Sequence, residues 1–420
     1  MMKKIYFLFF LFLSFSFLNG WGKVFYAGGN DRFPVFEEPP SVSLFRAIEM
    51  AGPGDTIFLR GGIYYPQKEI RIEKNGKAGQ PISMLAYPGE SPILDGSRME
   101  RGGLTWRNIP GSREMQYVLR LRGASYWYIR GIEICNGEAG GEWTGGMVVD
   151  EHSSWNRLEL LNVHHNHGAG IVIHGPHNLL LNCDAHHNVD IVHQGENADG
   201  IACAHPYAID NVIRGCRSWQ NSDDGFDIWM SVRTTLDSCW SFRNGYNDQG
   251  DPWGARADGN AYKLGRDGGG HMIRNCLAWS NLAIGFDYNW GKDMTVLNCT
   301  SWNNGVYNYR FDGKNEKLRN CISFEEHLLV KRVEIKAGYK KPVGDEKHNS
   351  WTMDPPIEVK RSDFQSLDDT GTSGLRQKDG SLPDLPFLKL RPVSDLIDRG
   401  VDVGLPFNGK APDMGAFELE

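Results

Sequence analysis

The sequence predicts an all-β protein: a parallel β-helix with a helical cap at its N-terminal end and a loop-rich cap at its C-terminal end. The first observation is a recurring motif in which a cysteine is followed five residues later by an asparagine. The second is that short stretches of alternating apolar and polar residues follow these asparagines. A short period with brief alternating segments is typical of a solenoid built from strands, because helical repeats are longer.

The first 20 residues have the features of a secretory signal peptide. Lys3 and Lys4 precede a stretch from Ile5 to Leu18 that is apolar apart from two serines. This stretch is short for a transmembrane helix, and no cysteine follows it at which a lipoprotein could be anchored. We therefore expect a secreted or periplasmic protein with no membrane span, in which residues 21–420 form a single β-helix domain.

The charge of the chain restricts its partners. Lys and Arg number 45 against 52 Asp and Glu, which gives a formal net charge of −7. Proteins that bind nucleic acid usually carry a basic face, so this balance argues against a nucleic-acid partner. An acidic protein that binds an acidic polymer needs a local cation to offset the repulsion. We expect the protein to act as a monomer.

The predicted N-terminal cap lies in residues 41–65, "SVSLFRAIEMAGPGDTIFLRGGIYY". This stretch predicts one short amphipathic helix, a turn at Gly54 and Asp55, and then a strand. A helix at this position would cover the open end of the solenoid, where strand edges would otherwise be unpaired.

The repeat is clearest between residues 155 and 325. Its marker positions are Leu161, Cys183, Cys216, Cys239, Cys276, Cys299 and Cys321, at intervals of 22, 33, 23, 37, 23 and 22 residues. The asparagines that follow are Asn166, Asn188, Asn221, Asn244, Asn281 and Asn304. The two long intervals indicate coils with inserted loops. Eight cysteines in an exported protein allow disulfides, but a shared register favours a buried column of free thiols and a ladder of asparagine amides.

The repeat fades after about residue 330. Residues 330–420 contain polar, turn-rich loops and then the segments "LKLRPVSDLIDRGVDVG" and "DMGAFE". We expect these residues to form the loops and cap that close the C-terminal end of one elongated domain.

Aligning the coils by hand predicts which side chains face outward. The segments after the asparagines begin at Gly170, Gly200, Gly225, Gly259 and Gly285. Because strand side chains alternate, the first and third residues after each glycine should point inward. This alignment places Asn260 beside Phe226 and Tyr262 beside Ile228. It places Lys263 two residues further along its strand than Asp227, at about 8 Å between Cα atoms.

The same alignment predicts a cluster of carboxylates. Asp199, Asp224 and Asp258 each precede the glycine of successive coils, Asp223 is adjacent, and Asp227 faces outward. The four carboxylates of Asp199, Asp223, Asp224 and Asp227 would raise one another's pKa values at this distance. A hard cation resolves the repulsion, and Ca²⁺ is favoured because it takes six to eight oxygen ligands in flexible geometry. Zinc is disfavoured, since this cluster contains neither His nor Cys.

A cation beside Lys263 suggests chemistry on a uronic-acid polymer. A bound metal can hold the sugar carboxylate and acidify the proton on carbon 5. A neutral amine can then remove that proton, and elimination of the bond at oxygen 4 leaves an unsaturated sugar. We therefore expect Lys263 to be the base, with a pKa lowered by the metal.

Four segments carry a resemblance to a known family. "NADGIA", "NSDDGFDIW", "DGNAYKLG" and "NLAIGFDYN" follow one another between Asn197 and Asn289. In this order on cysteine-containing coils they resemble polysaccharide lyase family 9. Characterised members of that family are pectate lyases and rhamnogalacturonan lyases with a right-handed parallel β-helix. The resemblance implies pectin as the substrate, Lys263 as the catalytic base and a Ca²⁺ site at Asp199, Asp223, Asp224 and Asp227.

Further side chains are weaker candidates for binding substrate. Asp258 stands near Lys263 in the alignment, and arginine guanidinium groups match carboxylates well. Two tryptophans are placed to stack on sugar rings or to cover a coil. Together with Asp258, these candidates are Arg233, Arg256, Arg266, Lys292, Arg310, Trp229 and Trp290.

The histidines concentrate in one part of the chain. Ten of the thirteen fall between His152 and His205, in segments such as "HHNHGAG" and "AHHN". Such segments are compatible with zinc, but their spacing favours a column of polar turns.

Two rival functions fit the residues alone. A β-helix hydrolase of galacturonan would use Asp223 and Asp224 as acid and base, with Lys263 uninvolved. A glycan-binding repeat protein would have no catalytic group at all. The sequence distinguishes neither polygalacturonate from rhamnogalacturonan nor endo from exo cleavage.

Overall fold

The computed structural model describes residues 22–28, 41–100, 116–138, 144–311, 315–325, 345–353, 355 and 357–419. The predicted signal peptide and residues 326–344 of the predicted C-terminal loops lie outside this part of the chain. Across the described residues, 31 strands form three parallel sheets of twelve, nine and ten strands. From Thr56 to Phe324 the described strands join the three sheets in turn, so the predicted parallel β-helix is confirmed.

The strands are short. The twelve-stranded sheet contains Val24–Ala27, Thr56–Leu59, Ile82–Ala86, Trp127–Arg130, Arg157–Glu159, Leu179–Leu181, Val212–Arg214, Thr235–Asp237, Met272–Arg274, Thr295–Leu297, Lys317–Arg319 and Asp345–Glu346. The nine-stranded sheet contains Ile70–Ile72, Gln116–Leu121, Thr144–Val149, Ile171–Ile173, Ile201–Ala202, Phe226–Asp227, Tyr262–Lys263, Ile284–Asp287 and Tyr307–Arg310. The ten-stranded sheet contains Gly62–Tyr64, Pro92–Asp95, Glu133–Cys135, Asn162–His164, Asp184–His186, Arg217–Trp219, Trp240–Phe242, Leu277–Trp279, Thr300–Trp302 and Ile322–Phe324.

The interior of the solenoid is a set of stacked columns. Behind the nine-stranded sheet, the rings of Phe226, Tyr262, Phe286 and Tyr309 stack with neighbouring centroids 4.7–5.0 Å apart. All eight cysteines are buried free thiols. In the marker column the backbone N–H of Cys183 donates to the sulfur of the next coil's cysteine at 3.3 Å. The predicted column of free cysteines is therefore confirmed.

The asparagine ladder is also confirmed. It runs unbroken through the six predicted residues, from Asn166 to Asn304, with each side-chain amide donating to the carbonyl oxygen of the next at 2.9–3.0 Å. These side chains are buried. Because a buried amide without partners is costly, stacking at the same turn satisfies all of them at once.

Helix α1, Leu44–Met50, is the predicted N-terminal cap. The Ser43 hydroxyl accepts from the backbone N–H of Arg46 at its start, and Leu44, Ala47 and Ile48 are buried against the first coils. The part of the chain that the structure describes also contains two single-turn 3₁₀ helices, Gly96–Arg98 and Arg361–Asp363. Within the described ranges, no helix has the length and apolarity that a bilayer span requires.

The C-terminal segment, residues 357–419, does more than close one end. It packs along the outside of the ten-stranded sheet, where an outward row of aromatic side chains includes Trp219, Phe242 and Trp279. Phe387 of the segment lies 5.0 Å from the ring of Trp279. The segment therefore covers apolar surface that would otherwise face water.

The predicted register is wrong by two residues in one coil. The structure pairs Phe226 with Tyr262, and Asp227 with Lys263. Asn260, not Asp258, occupies the position next to Asp224, and its backbone carbonyl accepts from Gly225 N–H. The long inserted loop before this coil ends at Gly259, whose positive φ of 65° adds a turn that the simple count from glycine to glycine ignores.

Candidate active site

The candidate site lies on the outer face of the nine-stranded sheet. Parallel pairing aligns one outward row across successive coils: Ala202, Asp227, Lys263, Asp287 and Arg310. Neighbouring positions in such a row are about 4.8 Å apart. Lys263 is thus the direct neighbour of Asp227, closer than the sequence predicts.

The carboxylates gather where the preceding turns meet this row. Oxygen atoms of Asp199, Asp224 and Asp227 all lie within 4.8 Å of one another, and so do those of Asp223, Asp224 and Asp258. Asp224 belongs to both groups and is fully buried. The four predicted aspartates therefore come together, and Asp258 joins them despite its different register.

Hydrogen bonds orient most of these carboxylates. Asp223 accepts from the backbone N–H groups of Asn197 and Asp258, each at 2.8 Å. The Oδ1 atom of Asp224 accepts from both the backbone and the side-chain amide of Asn260 at 2.8 Å. The Oδ1 atom of Asp227 is buried with no hydrogen-bond partner among the described residues, and Asp224 Oδ2 has none there apart from its ion pair with Lys263.

Lys263 is the cation that meets this cluster. Its Nζ atom lies 2.9 Å from Asp224 Oδ2, 3.0 Å from Asp258 Oδ2 and 3.8 Å from Asp227 Oδ2. Its side chain is 17% exposed, whereas that of Asp258 is 57% exposed. The amine is thus largely enclosed but keeps an opening toward solvent on the side of Asp258.

The electrostatics of the cluster are unbalanced. Burial raises the pKa of Asp199 well above its ordinary value, and the neighbouring aspartates raise it further. Burial likewise raises the pKa of Asp227 to about 7, with Lys263 acting in the opposite direction. Burial lowers the pKa of Lys263, but the surrounding carboxylates outweigh burial and hold it well above its ordinary value. One ammonium group is too little positive charge for this many carboxylates.

A hard divalent cation fits these residues. The donors are carboxylate oxygens within a few ångströms of one another, and the unpartnered Oδ1 atom of Asp227 is a buried acceptor that a cation would satisfy. Neither His nor Cys takes part in either group, so the donor set matches Ca²⁺ rather than zinc.

Comparison with known proteins identifies the family. Residues 27–323 match the family described as "Pel9A-like, right handed beta helix region". The chain belongs to this Pel9A-like family. It is 34% identical to pectate lyase L of Dickeya dadantii over 398 residues, covering 91% of this chain and 86% of that protein.

Solved structures agree with the assignment. The crystal structure of pectate lyase Pel9A superposes with a TM-score of 0.77 at 29% identity, covering 96% of this chain and 97% of that one. A rhamnogalacturonan lyase superposes with a TM-score of 0.72 at 24% identity over 88% of this chain and 97% of its own, which shows the shared fold. This Pel9A-like protein is a polysaccharide lyase with a right-handed β-helix. The hydrolase and the non-catalytic binding module are not supported.

The remaining substrate-binding candidates differ in whether an ion pair holds them: Arg310, Arg233 and Arg256 pair with carboxylates, and the other two basic residues form no ion pair among the described residues. Arg310 stands in the outward row and is held by a bidentate ion pair with buried Asp287. Arg233 pairs with Asp210, and Arg256 with Glu196, both near the surface. The others are Arg266, Lys292 and Trp290, which are exposed, and Trp229, which is half-buried. Arg310 thus has the most rigid position.

Two side chains at the candidate site are not singled out by the sequence. Asn260, which the alignment places in the core, supports Asp224 through two hydrogen bonds. Asp287 is the direct neighbour of Lys263 and anchors Arg310. The signal for Asn260 was present, because an asparagine in an otherwise apolar column needs polar partners.

Proposed function

We propose that this lyase is a secreted, Ca²⁺-dependent enzyme that cleaves a galacturonate-containing pectin backbone, either pectate or rhamnogalacturonan I, by β-elimination. The observation that carries the proposal is the position of Lys263 Nζ, 2.9–3.8 Å from three carboxylates on the open face of the sheet. Pectate lyase relatives and the resemblance to their motifs support the substrate class.

Asp199, Asp223, Asp224 and Asp227 would hold the Ca²⁺ ion. When bound, the ion supplies positive charge that attracts the galacturonate carboxylate and acidifies the proton on the adjacent carbon 5. The chain contributes the fixed geometry: backbone N–H groups orient Asp223, and Asn260 orients Asp224.

Lys263 would act as the Brønsted base. Its neutral amine takes the proton from carbon 5, and the electron pair of that C–H bond becomes the double bond between carbons 4 and 5. The bond from carbon 4 to its glycosidic oxygen breaks, and the departing oxygen takes a proton from solvent. The products are a 4,5-unsaturated galacturonate end and a new free hydroxyl end.

Metal dependence follows from the charges around Lys263. The carboxylates that hold its proton in place are the same groups that would ligate the cation. Once they are ligands, their charge no longer favours the ammonium form, and the amine can be neutral. Activity without the metal is therefore expected to be very low.

Arg310 is the best-placed candidate for binding a second galacturonate carboxylate. It lies two positions from Lys263 in the outward row, about 10 Å away between Cα atoms, and Asp287 fixes its orientation. Arg233, Arg256, Arg266, Lys292, Trp229 and Trp290 are further proposed contacts with the polymer.

Export is part of the proposal, on the grounds of the apolar N-terminal stretch after Lys3 and Lys4. A pectin backbone is a large extracellular polymer, so a lyase that cleaves it must be exported from the cell that produces the enzyme. Comparing the N-terminal residue of the exported protein with the encoded sequence tests this directly.

A substrate panel tests the activity. Purified protein is incubated with polygalacturonate or with rhamnogalacturonan I, with Ca²⁺ or with an excess of chelator, and the ultraviolet absorbance of the unsaturated product is followed. We expect absorbance to rise on at least one polymer only when Ca²⁺ is present. New reducing ends without absorbance would contradict elimination, and full activity in chelator would contradict the metal requirement.

A further inference from the structure

A second group of metal-ligating side chains lies on a different face of the solenoid. Glu133 and Cys135 belong to one strand of the ten-stranded sheet, and His164 belongs to the strand of the next coil. Parallel pairing places His164 directly beside Cys135. The carboxylate oxygen, the sulfur and an imidazole nitrogen all lie within 4.8 Å of one another.

Strand alternation explains why these three groups converge. Ile134, between Glu133 and Cys135, is completely buried in the interior, so its two neighbours point to the outer face. Cys135 is therefore unlike Cys183 and the other marker cysteines, whose sulfurs line the interior column. It is 4% exposed, while the side chains of Glu133 and His164 are 32% and 16% exposed, which leaves a route for an ion.

The distance between two of these ligand atoms is close to that between two ligands of a tetrahedral zinc ion. The Nε2 atom of His164 lies 3.3 Å from Glu133 Oε1. Two ligands at about 2.0–2.1 Å from a tetrahedral zinc ion lie about 3.3–3.4 Å apart. The other imidazole nitrogen, Nδ1, lies 2.8 Å from Nδ1 of His165. A hydrogen bond at the second ring nitrogen of a ligating histidine fixes its tautomer and ring orientation.

We infer that Glu133, Cys135 and His164 form a binding site for a transition-metal dication of the Zn²⁺ type, which joins two adjacent coils. The mixed sulfur, nitrogen and oxygen donors suit Zn²⁺ and exclude Ca²⁺, which takes oxygen ligands. Asp95 flanks Cys135 on the preceding coil, but both of its oxygens accept hydrogen bonds, from Ser97 and Asn136. The fourth position is therefore left to water. On binding, the thiol of Cys135 loses its proton to solvent.

Cobalt titration tests the site without reference to lyase activity. Reduced, full-length protein in Ca²⁺-containing buffer is titrated with Co²⁺, which gives a near-ultraviolet charge-transfer band only when a thiolate is a ligand. We expect a band that saturates at one equivalent and disappears when Zn²⁺ is added. The band should be absent from Cys135→Ser and retained in Cys321→Ala, a matched control in the interior column.

Two further variants test the site if circular dichroism shows that Cys135→Ser does not fold. Glu133→Gln and His164→Gln should each weaken Co²⁺ binding by about 10-fold or more. The inference fails if the wild type gives no band at saturating Co²⁺, if the band persists in folded Cys135→Ser, or if both other variants bind as tightly as the wild type.

Discussion

Lys263 is the residue on which the proposed chemistry depends most. Replacing it by alanine removes the proposed base but leaves the four aspartates and their backbone hydrogen bonds in place. We expect kcat to fall by at least about 100-fold, with a much smaller change in KM. Ca²⁺ affinity, measured by calorimetry, should stay the same or increase, because a competing positive charge is lost from the cluster.

Lys378→Ala is the matched control for Lys263→Ala. Lys378 is exposed in the C-terminal segment, which packs on the ten-stranded sheet and not on the face that carries the candidate site, so its removal should leave kcat near the wild-type value. If Lys263→Ala retained more than about a tenth of wild-type kcat while binding Ca²⁺ normally, Lys263 would not be the base.

Asp227 offers a test of the cation site that needs no substrate. Burial raises the pKa of its carboxyl to about 7, so keeping it ionised at pH 8 costs the metal-free protein stability. Asp227→Asn removes that charge while keeping the shape. In chelator we expect a melting temperature higher by about 1–3 °C. With Ca²⁺ the order should reverse, because one ligand is weakened and Ca²⁺ affinity falls.

The control for Asp227→Asn is Asp384→Asn, at an aspartate 70% exposed in the C-terminal segment. It should change the melting temperature little in either condition. A variant at Asp227 that is destabilised equally with and without Ca²⁺ would show that this carboxylate has a structural role only.

At the scale of strands and coils, the sequence predicts more of the fold than of the site's geometry. The period of the cysteines and asparagines predicts the coils because every coil must place the same side chain in each column: a small apolar thiol in the interior and an amide that bonds to the next amide in the ladder. The predicted register around Lys263 is wrong because it aligns Gly259 with Gly225 and so sets Asp258 beside Asp224, a position that Asn260 occupies. An inserted loop hides such a shift, which only pairing with the neighbouring strand reveals.

A second polar column of this solenoid contains a histidine. A short ladder of hydrogen bonds joins residues that precede successive strands of the twelve-stranded sheet, Asn156, Asn178 and Asn211. Further along the same column, the backbone N–H of Thr234 donates to Nδ1 of His271 at 3.1 Å. Burial lowers the pKa of His271 to about 4. The protein therefore holds a neutral imidazole where other coils have an amide or hydroxyl.

This histidine makes stability depend on pH in a defined direction. Because the folded pKa lies below the unfolded value of about 6.5, the unfolded chain binds more protons as pH falls from about 6.5 toward 4. Stability contributed above that range is lost, at up to about 1.4 kcal/mol for each pH unit. In His271→Asn this loss should disappear. We therefore expect the unfolding free energy of the variant, relative to that of the wild type, to increase between pH 7 and pH 5 in denaturant melts.

The exposed His152 provides the comparison, since its side chain is 77% exposed. His152→Asn should follow the wild-type curve over the same pH range. A His271→Asn protein with a pH dependence parallel to that of the wild type would rule out this histidine as the titrating group.

At the scale of the whole molecule, the C-terminal segment joins coils that are distant in the sequence. Arg376 and Arg217 both contact the carboxylate of buried Asp184 at 2.7 Å, and Arg217 also donates to the carbonyls of Thr372 and Gly374. The sequence predicts a closing cap but not this contact, because no local motif in Asp184 or Arg376 shows that two residues 192 positions apart will pair. The segment and the solenoid should consequently unfold together.

Replacing Arg376 by methionine tests that coupling. The change keeps an apolar stem but removes the Arg376 donor from the carbonyls of Gly215 and Gly380, while Asp184 keeps Arg217. We expect a loss of about 1–3 kcal/mol in unfolding free energy with a single transition, and unchanged kcat and Ca²⁺ affinity at low temperature.

The control is Arg243→Met, which breaks the half-exposed ion pair between the solenoid and Asp369 of the C-terminal segment. This change should cost less than about 1 kcal/mol of unfolding free energy. A separate early transition in either variant would mean that the segment unfolds independently of the solenoid.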